Sequence, residues 1–272
     1  MNDEQKPTRP PDTWASGSAY EPYVGRWSRL VAREFLNWLA LPAGRQWLDV
    51  GCGTGALSQT ILQLAAPSHI TGIDRSEWYI AFARERIKDP IVQLHVGQAE
   101  ALSVETATYD AAVSGLVLNF IPQPDRSVAE MSRATRPGGI VAVYVWDYAG
   151  KMQLMRHFWN AAAALDPAAY ELDEGRRFPL CQPEPLRQLF QSAGLTQVDV
   201  CPIDIATDLR DFEDYWSPFL GGQGPAPSYV MALSEERRAA LRERIRAGLP
   251  CALDGSIPLV ARAWAVRGVR QK

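Results

Sequence analysis

The stretch LDVGCGTG, from Leu48 to Gly55, joins a short apolar run to three alternating glycines. Glycine has no Cβ, so a loop of this composition lets its backbone N–H groups approach a bound nucleotide closely. The loop alone leaves the nucleotide open, because Gly51, Gly53 and Ala56 also satisfy the G-x-G-x-x-G/A pattern of dinucleotide-binding enzymes. One acid, Asp49, lies inside the apolar run.

Short apolar segments alternate with helical segments on both sides of this loop. Ser76 precedes apolar residues at helical spacing, so we expect it to be the N-cap of a helix. Near-continuous apolar strands are typical of a parallel sheet that is covered by helices on both faces. The five strands predicted in this part of the chain are 46–50, 69–73, 91–96, 109–114 and 140–146.

The chain after residue 146 has long helical, aromatic segments at 148–182 and 207–250. Two further strands are predicted after these segments, at 197–203 and 257–266. We therefore predict an α/β, Rossmann-like fold with a seven-stranded, mostly parallel sheet and helices on both faces. The two aromatic segments, inserted after strands 5 and 6, would form a helical lid.

The composition is that of an ordinary globular protein, with 272 residues and a formal net charge of −3. This charge gives no electrostatic reason to expect a nucleic-acid partner. No apolar run approaches the roughly 20 residues of a membrane span. The polar, Pro-rich residues 1–19 predict a flexible tail before a single domain at 20–272. They have no apolar core of a secretory signal, so we expect a cytoplasmic protein. We also expect it to be a monomer or a homodimer.

Metal and disulfide chemistry have no support in the sequence. The four cysteines are scattered and form no C-x-x-C pair. The three histidines, His69, His95 and His157, form no H-x-x-x-H pair. We therefore predict no metal site.

A second polar anchor follows the Gly-rich loop by about 20 residues. Asp74 stands at the end of the second predicted strand, where an acid can accept hydrogen bonds from both ribose hydroxyls of a nucleotide. Ligands of open parallel sheets bind beyond the carboxyl ends of the strands, so this acid and the loop would face one site.

Five motifs now occur in order: LDVGCGTG, TGIDRS, VGQAEALSV, YDAAVSGLVLNFI and TRPGGIVAVYVWD. Together they resemble the successive motifs of class I S-adenosylmethionine-dependent methyltransferases, in particular the subgroup that includes the ubiquinone/menaquinone-biosynthesis type. The resemblance covers residues 46–147 continuously. It implies that S-adenosylmethionine is the cofactor and S-adenosylhomocysteine the product.

The resemblance also implies a set of cofactor-binding residues. Gln98 departs from the family, which has Asp at this position, although a Gln carbonyl can still accept from the adenine amino group. The implied residues are Tyr20, Arg26, Trp27, Asp49, Gly51, Cys52, Gly53, Gly55, Asp74, Arg75, Ser76, Gln98, Ala99, Glu100, Gly115, Leu116 and Asn119.

Asp49 separates the two interpretations of the loop. A carboxylate suits the ammonium group of S-adenosylmethionine, whereas it would repel the pyrophosphate of a dinucleotide. An NAD(P)-dependent oxidoreductase remains the first alternative, and a non-catalytic binding protein with a methyltransferase fold remains the second.

Methyl transfer is an in-line displacement in which the cofactor supplies the reactive carbon. The protein mainly aligns the reactants and excludes water, and a base is needed only if the acceptor must lose a proton. His157, in the first insertion, is the candidate base, and Asp147 and Tyr148 also follow strand 5 closely. The nine Trp, nine Tyr and eight Phe residues suit a wall around a small organic acceptor.

Overall fold

The strands form one sheet in the computed structural model, which describes residues 25–221 and 224–271. The predicted flexible tail and Tyr20 lie outside the described residues. The strands are β1 (Gln46–Val50), β2 (His69–Asp74), β3 (Val92–Val96), β4 (Tyr109–Gly115), β5 (Thr135–Trp146), β6 (Leu195–Ala206) and β7 (Val260–Arg270).

Helices connect and flank these strands. Ser76 caps the third of them as predicted, because its Oγ accepts a hydrogen bond from Tyr79 N at 3.2 Å. The helices are α1 (Arg26–Leu39), α2 (Ala56–Leu64), α3 (Glu77–Arg86), α4 (Pro124–Ala134), α5 (Gln153–Leu165), α6 (Glu174–Arg177), α7 (Pro183–Ser192), α8 (Phe212–Trp216), α9 (Pro225–Ala232) and α10 (Glu235–Gly248).

The strand order is β3-β2-β1-β4-β5-β7-β6, and β7 runs antiparallel to both of its neighbours. The other neighbouring strands are parallel, which confirms the prediction of a mostly parallel α/β sheet. Central residues such as Leu48, Val113 and Val143 are fully buried, as the apolar strand sequences require. The order reverses between β1 and β4, so a crevice opens beyond the ends of these strands.

The last strands are longer than their apolar patterns indicate. β5 begins at Thr135 rather than at residue 140, because Thr135 pairs with Tyr109 before an irregular segment at Pro137–Gly139. β6 runs from Leu195 to Ala206 and so exceeds the predicted 197–203 at both ends, through antiparallel pairing with β7. β7 begins three residues later and ends four residues later than the predicted 257–266. Polar residues alternate with apolar ones along β6, so the apolar pattern alone underestimates this strand.

The outer edge of the sheet is formed by β6 beyond β7. Pairing between β6 and β7 shifts register between Thr196 and Asp199, and Gln197 in this bulge has a φ of +50°. Pro202 stands inside β6, where a proline is tolerated because an edge strand needs fewer backbone donors.

The two helical insertions pack against each other. Phe219, from the second insertion, stacks on Phe158 of α5 with ring centroids 4.6 Å apart. The Tyr215 hydroxyl donates to Leu154 O at 2.7 Å. Both Phe219 and Tyr215 are fully buried, so the insertions share one aromatic core.

Candidate active site

A cavity of about 390 Å³ opens at the carboxyl ends of β1, β2, β4 and β5. This is the place expected for a ligand of an open, mostly parallel sheet. Twelve of the residues predicted to bind the cofactor line it: Asp49, Gly51, Cys52, Gly53, Asp74, Arg75, Ser76, Gln98, Ala99, Glu100, Gly115 and Leu116.

The Gly-rich loop is held against β2 by backbone hydrogen bonds. Gly51 N and Cys52 N both donate to Ile73 O, at 2.7 and 3.1 Å. Gly51 has a φ of +75°, and a Cβ at this position would lie 2.5 Å from a methyl carbon of Val117. Gly53 has a φ of +53°, but the space where its Cβ would lie is open. Gly51 is therefore required by packing, while Gly53 leaves backbone open toward the cavity.

Asp74 links the loop to the following helix. Its Oδ2 accepts a hydrogen bond from Gly53 N at 3.0 Å, and its Oδ1 accepts one from Ser76 N at 2.9 Å. Burial raises the pKa of Asp74, and the two backbone donors partly offset that rise. A carboxylate has about four acceptor sites, so each oxygen can still accept a hydrogen bond from a ligand hydroxyl.

Asp49 is a fully buried acid at the floor of the cavity. Its Oδ2 accepts a hydrogen bond from Ser58 Oγ at 2.6 Å, whereas its Oδ1 has no partner among the described residues. Burial raises the pKa of Asp49 to about 7, with a smaller contribution from the charge of Asp74. An unpartnered buried acceptor is costly, so this oxygen is suited to a donor that arrives with a ligand.

Four of the predicted cofactor-binding residues do not line the cavity, and a fifth lies outside the described residues. Trp27 is buried in the core, and Gly55 packs so closely on Ile87 that a Cβ would lie 2.7 Å away. Arg26 instead pairs with Asp214 at 2.9 Å. Asn119 is not among the lining residues, and Tyr20 is outside the described residues.

The candidate bases also take other positions. His157, on α5, is half-buried and is not among the residues that line the cavity; burial lowers its pKa. Asp147 accepts hydrogen bonds from Gly150 N and Lys151 N at 2.9 and 3.0 Å, which stabilise the turn after β5. Of Asp147 and Tyr148, which follow β5, Tyr148 lines the cavity.

The aromatic side of the cavity contains residues that the motifs did not single out. Tyr144, Trp146 and Tyr148 are spaced two residues apart at the end of β5 and just after it, so their side chains lie on the same side. The spacing of two between the aromatic residues of IVAVYVW could have indicated that they face the same side of the strand. The further lining residues are Ser28, Thr54, Ala56, Leu57, Ile73, Tyr79, Gly97, Val117, Phe120, Ile121 and Pro122.

Within residues 25–221 and 224–271, no group of three or more His, Cys, Asp or Glu side chains could hold a metal ion. In the same part of the chain, no helix is long and apolar enough to cross a membrane.

This sheet order, Gly-rich loop and pair of acids define a Rossmann-like domain with a nucleotide-type ligand site. Residues 48–143 match the family described as "Methyltransferase domain". Residues 48–143 are therefore similar to a methyltransferase domain.

Two relatives show how widely the acceptors of this family differ. Phosphatidylethanolamine N-methyltransferase of Cereibacter sphaeroides is 36% identical over 107 residues, which are 37% of this chain and 50% of the relative. The tRNA (carboxymethyluridine(34)-5-O)-methyltransferase ALKBH8 of Mus musculus is 35% identical over 44% of this chain and 17% of its own length. The chain thus spans half or less of the length of these relatives. Their names cover unlike acceptors, so the ubiquinone/menaquinone subgroup stays a prediction.

A solved structure shares the fold across nearly the whole chain. Phosphoethanolamine N-methyltransferase 2 of Haemonchus contortus, in complex with phosphomonomethylethanolamine and S-adenosylhomocysteine, has a TM-score of 0.59 and 17% identity. The similarity covers 94% of this chain and 57% of that chain. At this identity the likeness concerns the fold and not the substrate.

Proposed function

We propose that this protein transfers a methyl group from S-adenosylmethionine to a small organic acceptor. The observation that carries the proposal is Asp49 Oδ1, a buried cavity-lining oxygen without a partner in the described part of the chain. The ammonium of a methionine moiety supplies both the donor and the charge that this oxygen needs. A pyrophosphate would supply neither.

The remaining contacts follow the strand order. Asp74 would accept from the ribose hydroxyls, while Gln98 and Glu100, which follow β3, would meet the adenine. The exposed backbone at Gly53 would pass beside the amino-acid end. In this orientation the reactive part of the cofactor faces the cavity wall formed by the ends of β4 and β5.

The bound cofactor supplies an electrophilic methyl group on a positively charged sulfur. Asp49 and Asp74 would hold this cofactor, which would give up its methyl group to the acceptor atom and stay as S-adenosylhomocysteine, and water would take up any proton that the acceptor loses. The residues of this chain bind and align the reactants and exclude water, which are the main protein contributions to such a reaction. His157 keeps the role of a proposed base only if the acceptor reaches α5.

A small acceptor is supported by the largely apolar side of the cavity, where Phe120, Trp146 and Tyr148 lie. The overall charge of −3 offers no broad attraction for a nucleic acid. A monomer or homodimer and a cytoplasmic location remain part of this proposal.

Isothermal titration calorimetry tests the cofactor. We expect saturable binding of S-adenosylmethionine and S-adenosylhomocysteine, and at least about tenfold weaker binding by Asp74→Ala, because a hydrogen-bonded charged group contributes about 1.5–3 kcal/mol. Asp208→Ala, which removes an exposed carboxylate, is the matched control and should bind normally.

Two results would contradict this function. Binding of NADH without binding of S-adenosylmethionine would favour an oxidoreductase. Cofactor binding without methyl transfer to a broad set of acceptors, RNA included, would favour a non-catalytic binding protein.

A further inference from the structure

Charge is unevenly distributed along the cavity. The charged side chains that line it are Asp49, Asp74, Arg75 and Glu100, which belong to β1, β2 and the loops after β2 and β3. The wall at the ends of β4 and β5 has no charged lining residue in the described part of the chain. That wall consists of Gly115, Leu116, Val117, Phe120, Ile121, Pro122, Tyr144, Trp146 and Tyr148.

The sheet order separates these two ends. β3, β2 and β1 lie on one side, and β4 and β5 lie on the other. A cofactor anchored at Asp74 and Asp49 therefore occupies the charged end and leaves the β4–β5 end for the acceptor. This assignment rests on the proposed function.

A second aromatic layer supports the uncharged wall. The ring of Phe178, from the first insertion, meets Phe120 edge-on with centroids 5.0 Å apart, and it lies 5.8 Å from the ring of Tyr148. Edge-to-face pairs at such distances are favourable, so the wall has a defined aromatic shape.

We propose that the acceptor is an uncharged, largely apolar molecule with a planar ring, held against Phe120, Trp146 and Tyr148. Aromatic side chains offer flat, apolar faces that a ring can cover. Moving a charged group into such surroundings is costly unless an opposite charge pairs with it. Phosphate recognition generally uses Arg or Lys, and neither lines this end in the described residues.

The proposal separates this chain from proteins of the same fold that accept phosphorylated substrates. A phosphate at the β4–β5 end would face Trp146 and Phe120 rather than a guanidinium or ammonium group.

Matched ligands test this property without knowledge of the natural acceptor. The protein is saturated with S-adenosylhomocysteine and titrated, at neutral pH, with 1-naphthol or 1-naphthyl phosphate, which share a ring and differ in charge. We expect 1-naphthol to bind at least tenfold more tightly. Phe120→Ala should weaken 1-naphthol binding severalfold, whereas Tyr170→Ala, which removes an exposed ring of the first insertion, should leave it unchanged.

Three results would overturn the inference: equal or tighter binding of 1-naphthyl phosphate, no saturable binding of 1-naphthol, or 1-naphthol binding that Phe120→Ala does not weaken. Binding of S-adenosylhomocysteine, measured first in every variant, keeps this question apart from the proposed function. Loss of that binding in the wild-type protein contradicts the proposed function, whereas normal binding with a preference for the phosphate contradicts the acceptor class alone.

Discussion

We expect Asp49 to couple the binding of a cationic ligand to the release of a proton. Its pKa of about 7 means that the carboxyl is largely protonated below pH 7 and charged above it. The groups that face it are Ser58, Asp74 and Cys52, none of which supplies a positive charge. An ammonium beside Oδ1 would favour the charged form, so binding of a cationic ligand displaces the proton.

This coupling predicts the pH dependence of cofactor affinity. The association constant of S-adenosylhomocysteine should rise by up to about tenfold per pH unit below pH 7 and level off above it, because one proton is released. Asp49→Asn should bind more weakly and lose this dependence. Calorimetry between pH 5.5 and 8 measures both. Adenosine, which has no ammonium group, is the matched ligand control, and a flat wild-type profile would contradict the prediction.

The two acids could be predicted from sequence because Asp74 ends an apolar strand and Asp49 is the next-to-last residue of another, where the topology leaves few alternatives. Their hydrogen bonds could not. The bond from Ser58 to Asp49 depends on the rotation of α2, and the bond from Gly53 to Asp74 depends on loop backbone angles. Arg26 shows the converse, since its partner Asp214 is 188 residues away and no local pattern indicates it.

At the scale of the elements, α6 is attached to α5 by a buried acid. Glu174 accepts a hydrogen bond from Trp159 Nε1, and both side chains are almost completely buried. Burial raises the pKa of Glu174 from 4.5 to about 7, and the hydrogen bonds to it partly oppose the rise.

The raised pKa predicts a loss of stability with rising pH. The folded protein holds this proton more tightly than the unfolded chain, so the contribution is fully present below pH 4.5 and is lost as pH rises through about 7. The loss is on the order of 3 kcal/mol. Glu174→Gln should therefore become more stable relative to the wild type between pH 5 and pH 8.

Urea unfolding at both pH values measures this difference. Any change in unfolding free energy that the new amide causes equally at both pH values cancels in the comparison. The titration of Asp49 also cancels, because it occurs in both proteins. A difference in unfolding free energy that stays constant from pH 5 to pH 8 would show that Glu174 does not titrate as expected.

The elements were predictable where the apolar pattern is local. β1 has the predicted bounds, and the N-cap at Ser76 is confirmed. The predicted strand 140–146 leaves the irregular Pro137–Gly139 segment outside β5, but pairing of Thr135 with Tyr109 makes this segment part of the strand. Such pairing depends on a neighbouring strand and is not encoded in the segment itself.

At the scale of the whole molecule, many aromatic residues after β5 pack between the two insertions and do not line the cavity. No described residue of 207–250 lines the cavity, although this segment was expected to cover the acceptor. Its buried rings instead pack on α5. Sequence periodicity indicates helices in both insertions. It does not indicate the contacts between the insertions, because these join residues more than 60 positions apart.

Phe219→Ala should separate stability from ligand binding. Removing a fully buried ring leaves a cavity and should cost about 3–5 kcal/mol of unfolding free energy. The affinity for S-adenosylhomocysteine should remain unchanged in the folded variant. Chemical denaturation and calorimetry test the two parts. Leu220→Ala, at the exposed neighbouring position, is the control and should change stability by less than about 0.5 kcal/mol.

Lower cofactor affinity in folded Phe219→Ala would show that the second insertion shapes the cofactor end of the cavity. The same result in Leu220→Ala would instead indicate a surface effect of this segment.

The bulge and proline of β6 also bear on how the protein behaves at high concentration. An exposed strand edge can recruit a strand of another molecule and start aggregation. In β6 the shifted register near Gln197, the missing N–H of Pro202 and the exposed charges of Asp199 and Asp204 all interrupt such a template. Self-association by continuation of the sheet through this edge is therefore disfavoured, and a homodimer would have to use another face.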